Sequence, residues 1–511
     1  MDSYTVSAIV LVYNGGKYLK TCINSLVNQT LNNTEIILVN DASTDNSLDV
    51  CEEFAKKYDN IKIINKKENK GLGNSANMGI EYASGEYVIL IDNDDYIPPC
   101  AFEKMYNKAK KTNSDVVTGK PNFLGKYQYE VVNFERNIWI KERNIKNIKE
   151  YPLIFGECYY WNKIVKKQLL LENNITLNES TIYADVGYSS AVFSYANNIS
   201  MIPDTVYIWR QRWSLNDQSL SKKTPIVENY LDRINIYENN IAFVSSIYPD
   251  YFKLVARRIM LPIKDILTDE KFKEVFLDKS REIITREVPK CNDFFDNNLD
   301  LIHNLYIYMI LNNLDEELVK LLNTDLKLEK NIVYEEDKAY WDIEWFRNLE
   351  IDIPDELFQI KFLDKTFINI EKIIIKNKNI LFENITIPDN FEIFEGFIIF
   401  RKTVGIREIL DEHTYRFKLK NSGSKNIFSV DVPINKLKPG TFEILVDFKY
   451  GDRLDRIGID KANYKEIINK NKNIKYRNKR GKLNISLPKK LFYSNKQKIK
   501  NKIKKIINFK L

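Results

Sequence analysis

The first hundred residues contain apolar runs that each end in a polar stretch. The runs cover residues 6–12, 35–39 and 87–91, and the stretches that follow them are Tyr13-Asn14-Gly15-Gly16, Asn40-Asp41-Ala42-Ser43-Thr44-Asp45 and Asp92-Asn93-Asp94-Asp95. Largely apolar runs of this length, here with Ser7 and Glu35 as the polar members, are typical of strands buried on both faces. Between the first two runs, apolar residues at 19, 22, 23, 26 and 27 have helical spacing. The alternation of strand and helix predicts a parallel α/β sheet, whose ligands bind at the carboxyl ends of the strands.

The acidic stretch after the third run is the clearest chemical signal. Asp92, Asp94 and Asp95 repel one another unless a positive charge lies among them. A Mg²⁺ or Mn²⁺ ion carrying a diphosphate meets that need, because carboxylate oxygens suit hard cations and the ion keeps positions for phosphate oxygens. A solvated acidic turn is the alternative interpretation of this segment taken alone.

Four sequence motifs that follow one another in a fixed order favour one kind of nucleotide-binding domain. These motifs are Val12-Tyr13-Asn14-Gly15-Gly16, Val39-Asn40-Asp41-Ala42-Ser43-Thr44-Asp45, Asn69-Lys70-Gly71-Leu72-Gly73 with Asn77-Met78-Gly79-Ile80, and Asp92-Asn93-Asp94-Asp95. Over roughly residues 5 to 220 the chain resembles the family 2 glycosyltransferases of GT-A fold. It departs from them at Ala76, where many members have an arginine near the nucleotide, and Lys70 is the substitute that we consider.

The resemblance implies roles for particular residues. Tyr13 and Asp41 would hold a uracil and Asp92 a ribose, while Asp94 would bind the metal, Mn²⁺ or Mg²⁺. The full predicted nucleotide-binding set is Tyr13, Asn14, Asp41, Lys70, Asn77, Asp92 and Asn93.

A second segment resembles the part of the family in which an acidic pair precedes an apolar helix. Here the first acid is replaced by Ala184, so Asp185 is the expected catalytic base. Glu179 and Asp204 are the next candidates, and a structural role of Asp185 as a helix N-cap is the alternative. The implied reaction is a single displacement that inverts the anomeric carbon. Further along, the resemblance and the fork of the guanidinium group suggest Arg210 and Arg212, with Lys163, as acceptor or phosphate ligands.

Composition limits the remaining classes. The chain has 511 residues, 44% of them hydrophobic and 12% aromatic, enough for folded cores. Its five cysteines show no paired or metal-ligand spacing, which fits a reducing cytoplasm. Of the two histidines, His413 is expected to be structural. The chain enters a strand almost at once, and no apolar stretch approaches 20 residues, so we expect a cytoplasmic enzyme, soluble or peripheral at the inner face of the cell membrane.

The pattern divides the chain into four predicted parts. Residues 1–222 form the GT-A catalytic domain and 223–352 a helical accessory segment. Residues 353–490 are short strands separated by turn sequences, which predicts an immunoglobulin-like β-sandwich. This order of domains resembles the wall teichoic acid sugar transferases, which decorate polyol-phosphate chains. The resemblance implies a homotrimer, with the sandwich serving assembly or polymer binding.

The last part, 491–511, is predicted to be a basic amphipathic tail. Residues 465–511 hold 17 lysines and arginines against one glutamate, a net charge of +16, so the first 464 residues carry −9 of the total of +7. Such a tail suits an anionic membrane surface or polymer. A merely solvated tail is the alternative, and no nucleic-acid partner is expected, because aromatic residues are not interleaved with the basic ones.

The sequence therefore predicts an inverting, metal-dependent glycosyltransferase. It would move N-acetylglucosamine or another hexose from a UDP-sugar to a bacterial cell-surface glycopolymer, with wall teichoic acid as the expected acceptor. One alternative is a capsule or lipopolysaccharide repeat-unit transferase that acts on a lipid-linked saccharide. Another is a catalytically retired GT-A module that serves as a binding or assembly subunit.

Overall fold

The computed structural model divides into two compact units, Met1–Leu322 and Asn323–Leu511. The boundary falls inside the predicted helical segment 223–352, and the division into four parts stays a prediction. The structure describes residues 4–124, 129–131, 136–139, 141–210, 212–214, 217–218, 227–260, 270–295, 301–324, 332–335, 338–348, 350–361, 368–376, 378–389, 391–402, 414–422, 426–450, 453–459, 461–479 and 482–488. His413 and the tail 491–511 lie outside these residues.

The first unit is an α/β domain followed by helices. Its strands are β1 (Val6–Val12), β2 (Thr34–Asn40), β3 (Ile61–Asn65), β4 (Tyr87–Asp92), β5 (Val116–Leu124), β6 (Tyr129–Val131), β7 (Arg143–Ile145), β8 (Lys163–Lys166), β9 (Ile199–Arg210), β10 (Trp213–Ser214) and β11 (Asp217–Gln218). The α-helices of the chain are α1 (Gly16–Val27), α2 (Ser47–Ala55), α3 (Gly71–Tyr82), α4 (Ala101–Thr112), α5 (Lys167–Glu172), α6 (Ala184–Tyr195), α7 (Val227–Ser245), α8 (Tyr251–Met260), α9 (Glu270–Glu287), α10 (Leu301–Leu311) and α11 (Asp315–Asn323).

The main sheet of this unit is mixed rather than wholly parallel. Its strand order is β3-β2-β1-β4-β8-β5-β9-β7, with β6 paired to β5. The predicted parallel arrangement holds for β3, β2, β1 and β4. The expectation fails at β8, which lies between β4 and β5 and runs antiparallel to both. A strand of four residues carries too short a hydrophobic pattern to indicate its direction.

The buried positions explain why these elements form. Every residue of β1 is buried, including Ser7, whose hydroxyl donates to the buried Glu35 of β2. Helix α1 buries Leu19, Cys22, Ile23 and Leu26, the face that its spacing predicts. Fully burying one leucine or isoleucine side chain contributes about 1.5–3 kcal/mol. The sheet and its helices are therefore held together mainly by apolar contact.

Strand register brings the polar stretches to one edge. In the parallel pairing, Val12 lies opposite Asn40 and Leu11 lies opposite Asp92. The residues that follow the three strands thus emerge side by side at the carboxyl edge of the sheet. This is the edge at which open α/β sheets bind ligands.

The helices after the sheet belong to the same unit. Helix α7 packs against α6 and α8, and α8 also contacts the 3₁₀ helix Pro152–Gly156. No helix within the described ranges is both long enough and apolar enough to span a membrane.

The second unit is rich in strands, as predicted. Its strands are β12 (Ile332–Glu335), β13 (Lys338–Trp341), β14 (Asn369–Ile375), β15 (Asn379–Thr386), β16 (Glu395–Lys402), β17 (Thr414–Lys418), β18 (Lys420–Asn421), β19 (Ile427–Pro433), β20 (Gly440–Tyr450), β21 (Arg453–Gly458), β22 (Tyr464–Asn469), β23 (Lys475–Lys479) and β24 (Lys482–Leu487). One sheet has the order β18-β19-β15-β14-β22 and another β17-β16-β20-β24-β23, with β21 on β20. Rings of the two sheets meet, with centroids 6.0 Å apart for Phe382 and Phe400. The immunoglobulin-like arrangement itself stays a prediction.

Candidate active site

Three loops at the carboxyl edge of the sheet are bound to one another. The backbone N–H of Asn14 donates to Ser43 Oγ at 3.1 Å, and the Asn14 side-chain oxygen accepts from the N–H of Thr44 at 2.8 Å. Asn93 Nδ2 donates to the carbonyl oxygen of Tyr13 at 3.0 Å. The ring of Tyr13 is 48% exposed, so a planar ligand has access to it. Asn14 and Asn93 thus shape the loops that would hold a nucleotide.

Asp41 is buried at the start of the second loop, and its carboxylate is contacted by two backbone N–H groups and one ammonium. It accepts from the N–H groups of Lys70 and Gly71 at 2.9 and 2.8 Å, which ties it to the first turn of α3. Lys66 Nζ lies 2.5 Å from Asp41 Oδ1 and 3.1 Å from Ser75 Oγ. The cation beside Asp41 is therefore Lys66.

The side chain of Lys70 lies near Glu68 rather than Asp41, and its substitution for the missing arginine stays a prediction. Its ammonium pairs with Glu68 at 2.9 Å, and both side chains are more than half exposed. Only the backbone of Lys70 reaches Asp41. An exposed pair of this kind contributes little to stability.

Asn77 is engaged by a protein segment rather than turned outward. Its Nδ2 donates to the carbonyl oxygen of Leu177 at 2.9 Å and to Glu179 Oε1 at 3.0 Å, and its oxygen accepts from the N–H of Leu177. Gly73 on the same helix approaches so closely that an added Cβ would lie 2.5 Å from the carbonyl oxygen of Asn178. Asn77 therefore fastens α3 to residues 177–179, and Glu179, held at the surface, is not placed as a base.

The acidic stretch after β4 is held by two tyrosines. Tyr160 donates its hydroxyl to Asp92 Oδ1 at 2.5 Å. Tyr207 donates to Asp95 Oδ2 at 2.8 Å and accepts from the N–H of Asp92 at 3.1 Å. Burial and the charge of Asp94 raise the pKa of Asp92 to about 7, against the hydrogen bond from Tyr160. Burial and the two other aspartates likewise raise the pKa of Asp95 well above its usual range.

Both predicted arginines converge on Asp94. Arg212 Nε lies 2.8 Å from Asp94 Oδ2, with the side chains 24% and 13% exposed. Arg210 Nε donates to the carbonyl oxygen of Asp94 at 2.7 Å, and its backbone N–H donates to Asp95 Oδ1 at 2.6 Å. The guanidinium of Arg210 also lies 5.0 Å from the ring centroid of Tyr18. These positive charges offset the crowding of the carboxylates.

The donor chemistry at this edge fits a hard divalent cation. Crowding of carboxylates disfavours their charged forms, and a cation among them relieves that cost. Within the described ranges, no set of three or more histidine, cysteine, aspartate or glutamate side chains converges as ligands of an ion. An ion held by Asp94 would share its coordination with phosphate oxygens.

Asp185 lies in the first turn of α6, and Tyr183 is the N-cap of that helix. Asp185 Oδ1 accepts a hydrogen bond from the N–H of Val186 at 3.0 Å. Burial raises the pKa of Asp185 to about 6, and the charge of Arg258, the hydrogen bond from Val186 and the charge of Lys163 act in the opposite direction. Asp185 in turn contributes to the raised pKa of Asp92, so the two carboxyl groups interact across the site.

The helices α7 and α8 hold α6 in place. Asn240 Nδ2 donates to Ser190 Oγ at 2.8 Å and to the hydroxyl of Tyr251 at 2.6 Å. All three side chains are buried. Arg258, on α8, donates to the carbonyl oxygen of Gly156. The helical segment therefore supports the element that carries Asp185.

Lys163, which we predicted to be an acceptor or phosphate ligand, lies in the interior. Its side chain is fully buried and pairs with the equally buried Glu157 at 2.9 Å. Its Nζ also lies 3.2 Å from Asn162 Oδ1 and 5.2 Å from the ring centroid of Phe193. β8 turns this ammonium into the interior, so its role in the structure is to neutralise Glu157.

Residues 7–170 match the family model described as Glycosyl transferase family 2. A cholesterol galactosyltransferase of Borreliella burgdorferi is 30% identical over 274 residues, which cover 49% of this chain and 73% of that protein. The chain belongs to glycosyl transferase family 2.

Three further comparisons relate this family 2 glycosyltransferase to known proteins. A poly(ribitol-phosphate) beta-glucosyltransferase of Bacillus spizizenii is 42% identical over 211 residues, which cover 40% of this chain and 32% of that protein. The crystal structure of S. aureus TarS superposes with a TM-score of 0.53 at 15% identity, over 94% of this chain and 85% of TarS. The structure of TarS residues 1–349 in complex with UDP-GlcNAc superposes with a TM-score of 0.51 at 18% sequence identity. The superposition covers 67% of this chain and 97% of the TarS fragment. These structures share the fold of the glycosyltransferase.

Sequence reasoning missed several residues of the site of this glycosyltransferase. Lys66 directly follows β3, the kind of position from which the other predicted site residues were chosen. Tyr160 directly precedes Lys163 and its neighbours but belongs to none of the motifs described above. Tyr207 lies in β9, where the sequence drew attention only to Arg210 and, just after it, Arg212. Arg258 comes from a helix that the sequence presents as an accessory segment, and no local pattern links it to Asp185.

The position of Lys163 leads to a stability prediction. We expect Lys163→Met to lower the free energy of unfolding by roughly 3–5 kcal/mol, because it leaves Glu157 buried and unpaired. Lys104→Met is the matched control, since Lys104 and Asp204 are 51% and 38% exposed and such pairs contribute about 1 kcal/mol or less. Calorimetry of both variants measures the difference.

A double variant separates charge from packing. Glu157→Leu combined with Lys163→Met should recover most of the loss, because an apolar pair of similar volume can replace a buried ion pair. A Lys163→Met protein of wild-type stability with weaker binding of an anionic acceptor would instead restore the phosphate-ligand hypothesis.

Proposed function

We propose that this glycosyltransferase moves a hexose from a UDP-sugar to a hydroxyl of an anionic polyol-phosphate polymer of the bacterial surface, with inversion at the anomeric carbon. The observation that carries the proposal is the way residues 158–160 join α6 to the end of β4: the carbonyl groups of residues 158 and 159 accept from Ser189 on α6, the helix that carries Asp185, and the hydroxyl of Tyr160 donates to Asp92. A carboxylate able to accept a proton thus lies beside the acidic edge that would hold the leaving diphosphate.

The donor site is proposed at the loops after β1, β2 and β4. Tyr13 offers an exposed ring to a base, Asp41 orders the start of α3, and Asp92 would accept from the ribose hydroxyls. The complex of TarS residues 1–349 with UDP-GlcNAc, on a shared fold, supports a UDP-sugar as donor. N-acetylglucosamine is accordingly the first sugar to test, with other hexoses after it.

A divalent cation, Mn²⁺ or Mg²⁺, is proposed to bind at Asp94 together with the donor. When bound, it would stabilise the negative charge that grows on the departing diphosphate. The ion pair of Asp94 with Arg212 keeps this carboxylate ordered, and Arg210 holds the backbone of the same residue.

The chemical step is proposed to use Asp185 as general base. The acceptor hydroxyl attacks the anomeric carbon from the face opposite the diphosphate, its proton passes to Asp185, and the glycosidic bond to UDP breaks. One displacement inverts the configuration and requires no covalent intermediate. Tyr160 keeps Asp92 fixed while Asp185 receives the proton.

The acceptor assignment is supported by a relative and by charge. The Bacillus spizizenii relative is named for poly(ribitol-phosphate) as its substrate. Arg210 and Arg212 bring positive charge to the end of β9, and a guanidinium fork suits a phosphodiester. The strand-rich second unit is proposed to bind the polymer or to assemble the protein into a trimer, and the tail 491–511 to contact an anionic membrane or polymer.

A second candidate is transfer to a lipid-linked saccharide, as in capsule or lipopolysaccharide assembly. The Borreliella relative is named for cholesterol, so a lipid acceptor is attested among similar proteins. A retired GT-A binding subunit has less support, because Asp94 and Asp185 are both present.

One assay tests these candidates. The full-length protein is incubated with a panel of UDP-sugars and Mn²⁺, with poly(ribitol phosphate) or with a lipid-linked saccharide, and both UDP release and acceptor mass are measured. We expect transfer to poly(ribitol phosphate). Transfer only to the lipid-linked saccharide would show that the acceptor is a lipid-linked saccharide and not a polyol-phosphate polymer. Failure to release UDP from any donor would refute the proposed glycosyltransferase activity.

The proposed metal carboxylate gives a first prediction. Asp94→Asn should lower turnover by about 10²-fold or more, because the neutral amide binds a divalent cation poorly and supplies no charge to the site. Asp59→Asn, an exposed aspartate, serves as control and should retain wild-type turnover. Full activity after treatment with EDTA would contradict the metal proposal, whatever the behaviour of the variant.

The proposed base gives a second prediction, on pH dependence. The titratable and charged groups that act on Asp185 are Arg258, Lys163, Asp92 and Tyr160. A base works when deprotonated, so kcat should rise with pH through about 6, the pKa of Asp185. The charge of Arg258 lowers this pKa, and Arg258→Met removes that charge. The acidic limb of the kcat–pH profile of this variant should therefore lie at higher pH than that of the wild type.

Two further variants complete the pH experiment. Asp185→Asn should bind the donor normally in calorimetry while losing about 10²- to 10⁴-fold in transfer. Asp49→Asn, on the exposed side of α2, should reproduce the wild-type profile. Wild-type turnover by Asp185→Asn would place the base elsewhere.

A further inference from the structure

Four aromatic side chains form a stack beside the acidic edge. The rings of Tyr159 and Trp161 are stacked with centroids 4.3 Å apart, and those of Trp161 and Tyr207 are likewise stacked at 4.3 Å. Trp209 lies 6.4 Å from Tyr159 and 6.2 Å from Trp161. These four residues are called the aromatic column below.

Burial decreases along the aromatic column. Tyr207 is fully buried and Trp161 is 5% exposed, whereas Tyr159 and Trp209 are only partly buried. The inner rings therefore support the outer two, which retain contact with solvent. Stacked and edge-packed rings gain stability beyond their buried area, so the outer rings are held rigidly.

The aromatic column is attached to both halves of the proposed active site. At its inner end, the Tyr207 hydroxyl bonds to Asp95 and to the N–H of Asp92. At its outer end, Ser189 of α6 donates to the carbonyl oxygen of Tyr159 at 3.0 Å. Because α6 also carries Asp185, the aromatic column connects the acidic edge to the helix of the proposed base.

We propose that Tyr159 and Trp209 form a stacking platform for a sugar or polyol unit of the acceptor. This inference rests on the proposed function, because it assigns the acceptor side of the same site. The C–H groups of a sugar or polyol are apolar and carry slight positive charge, so they pack on the negatively polarised face of an aromatic ring while the hydroxyls stay in water.

The charges near the platform match the acceptor class. Trp209 lies between Ile208 and Arg210 in β9, and Arg212 follows two residues later, so the strand that supplies a platform ring also ends in guanidinium groups. A polyol-phosphate chain alternates apolar carbon segments with phosphodiester anions. Aromatic rings fit the carbon segments of that repeat, and Arg210 and Arg212, which contact Asp94, bring positive charge to the end of the same strand.

The purely structural alternative makes a different prediction. If the rings serve only to pack the sheet against residues 159–161, then truncation of Trp209 lowers stability without separating acceptor binding from donor binding. A comparison of two Michaelis constants therefore distinguishes a platform from a packing role.

The test uses the full-length protein with UDP-GlcNAc and synthetic poly(ribitol phosphate). Trp209→Ala should raise the KM for the acceptor roughly tenfold, a typical loss for one stacking contact, while the KM for UDP-GlcNAc changes less than twofold. Trp209→Phe keeps an aromatic face and should recover most of the acceptor affinity. Tyr82→Ala removes an aromatic residue that is 54% exposed on α3 and should leave both constants unchanged.

Tyr159→Ala supplies an independent variant if Trp209→Ala folds poorly, which thermal melting will reveal. Equal effects on donor and acceptor constants, or no rescue by Trp209→Phe, would overturn the platform while leaving the proposed function intact. If the wild type transfers only to another saccharide or lipid-linked acceptor, the acceptor proposal fails and the same variants are measured on that acceptor. If the wild type uses no acceptor, both proposals fall together.

Discussion

The crowding of carboxylates at the end of β4 is the constraint around which the first unit is organised. A strand buried on both faces carries its last residues into the interior, and here those residues are acids. Burial of uncompensated negative charge is too costly to persist, so other elements must neutralise it. They do so with two hydroxyls, from Tyr160 and Tyr207, and two guanidinium groups, from Arg210 and Arg212.

Local pattern was enough to predict the elements and the edge. The run 6–12 is β1, the apolar residues at 19, 22, 23 and 26 are buried in the helix Gly16–Val27, and the predicted helical segment contains the helix Val227–Ser245. Periodicity reports which face of an element is buried, and strand ends follow from where a run stops. The meeting of Asp41 and Asp92 at one edge followed from parallel pairing alone.

Side-chain destinations were not predictable, because they depend on contacts distant in the chain. Lys66 and Lys70 stand four positions apart in one loop, yet only the ammonium of Lys66 pairs with Asp41, whereas Lys70 reaches Asp41 through its backbone N–H. The sequence suggested Lys163 as an acceptor or phosphate ligand. Its strand lies between two others, and Glu157 completes a buried pair that no spacing rule indicates.

The separation in sequence between the acids and their partners has a consequence for folding. The backbone N–H of Arg210 and the carboxylate of Asp95 are 115 residues apart, whereas β1 to β4 lie within the first 92 residues. Closing so long a loop is slow relative to local pairing. We therefore infer that a nascent chain forms the apolar part of the sheet first, with its acidic edge still hydrated. The site would acquire its final charge balance only when β9 docks, which makes catalytic competence a late event in folding.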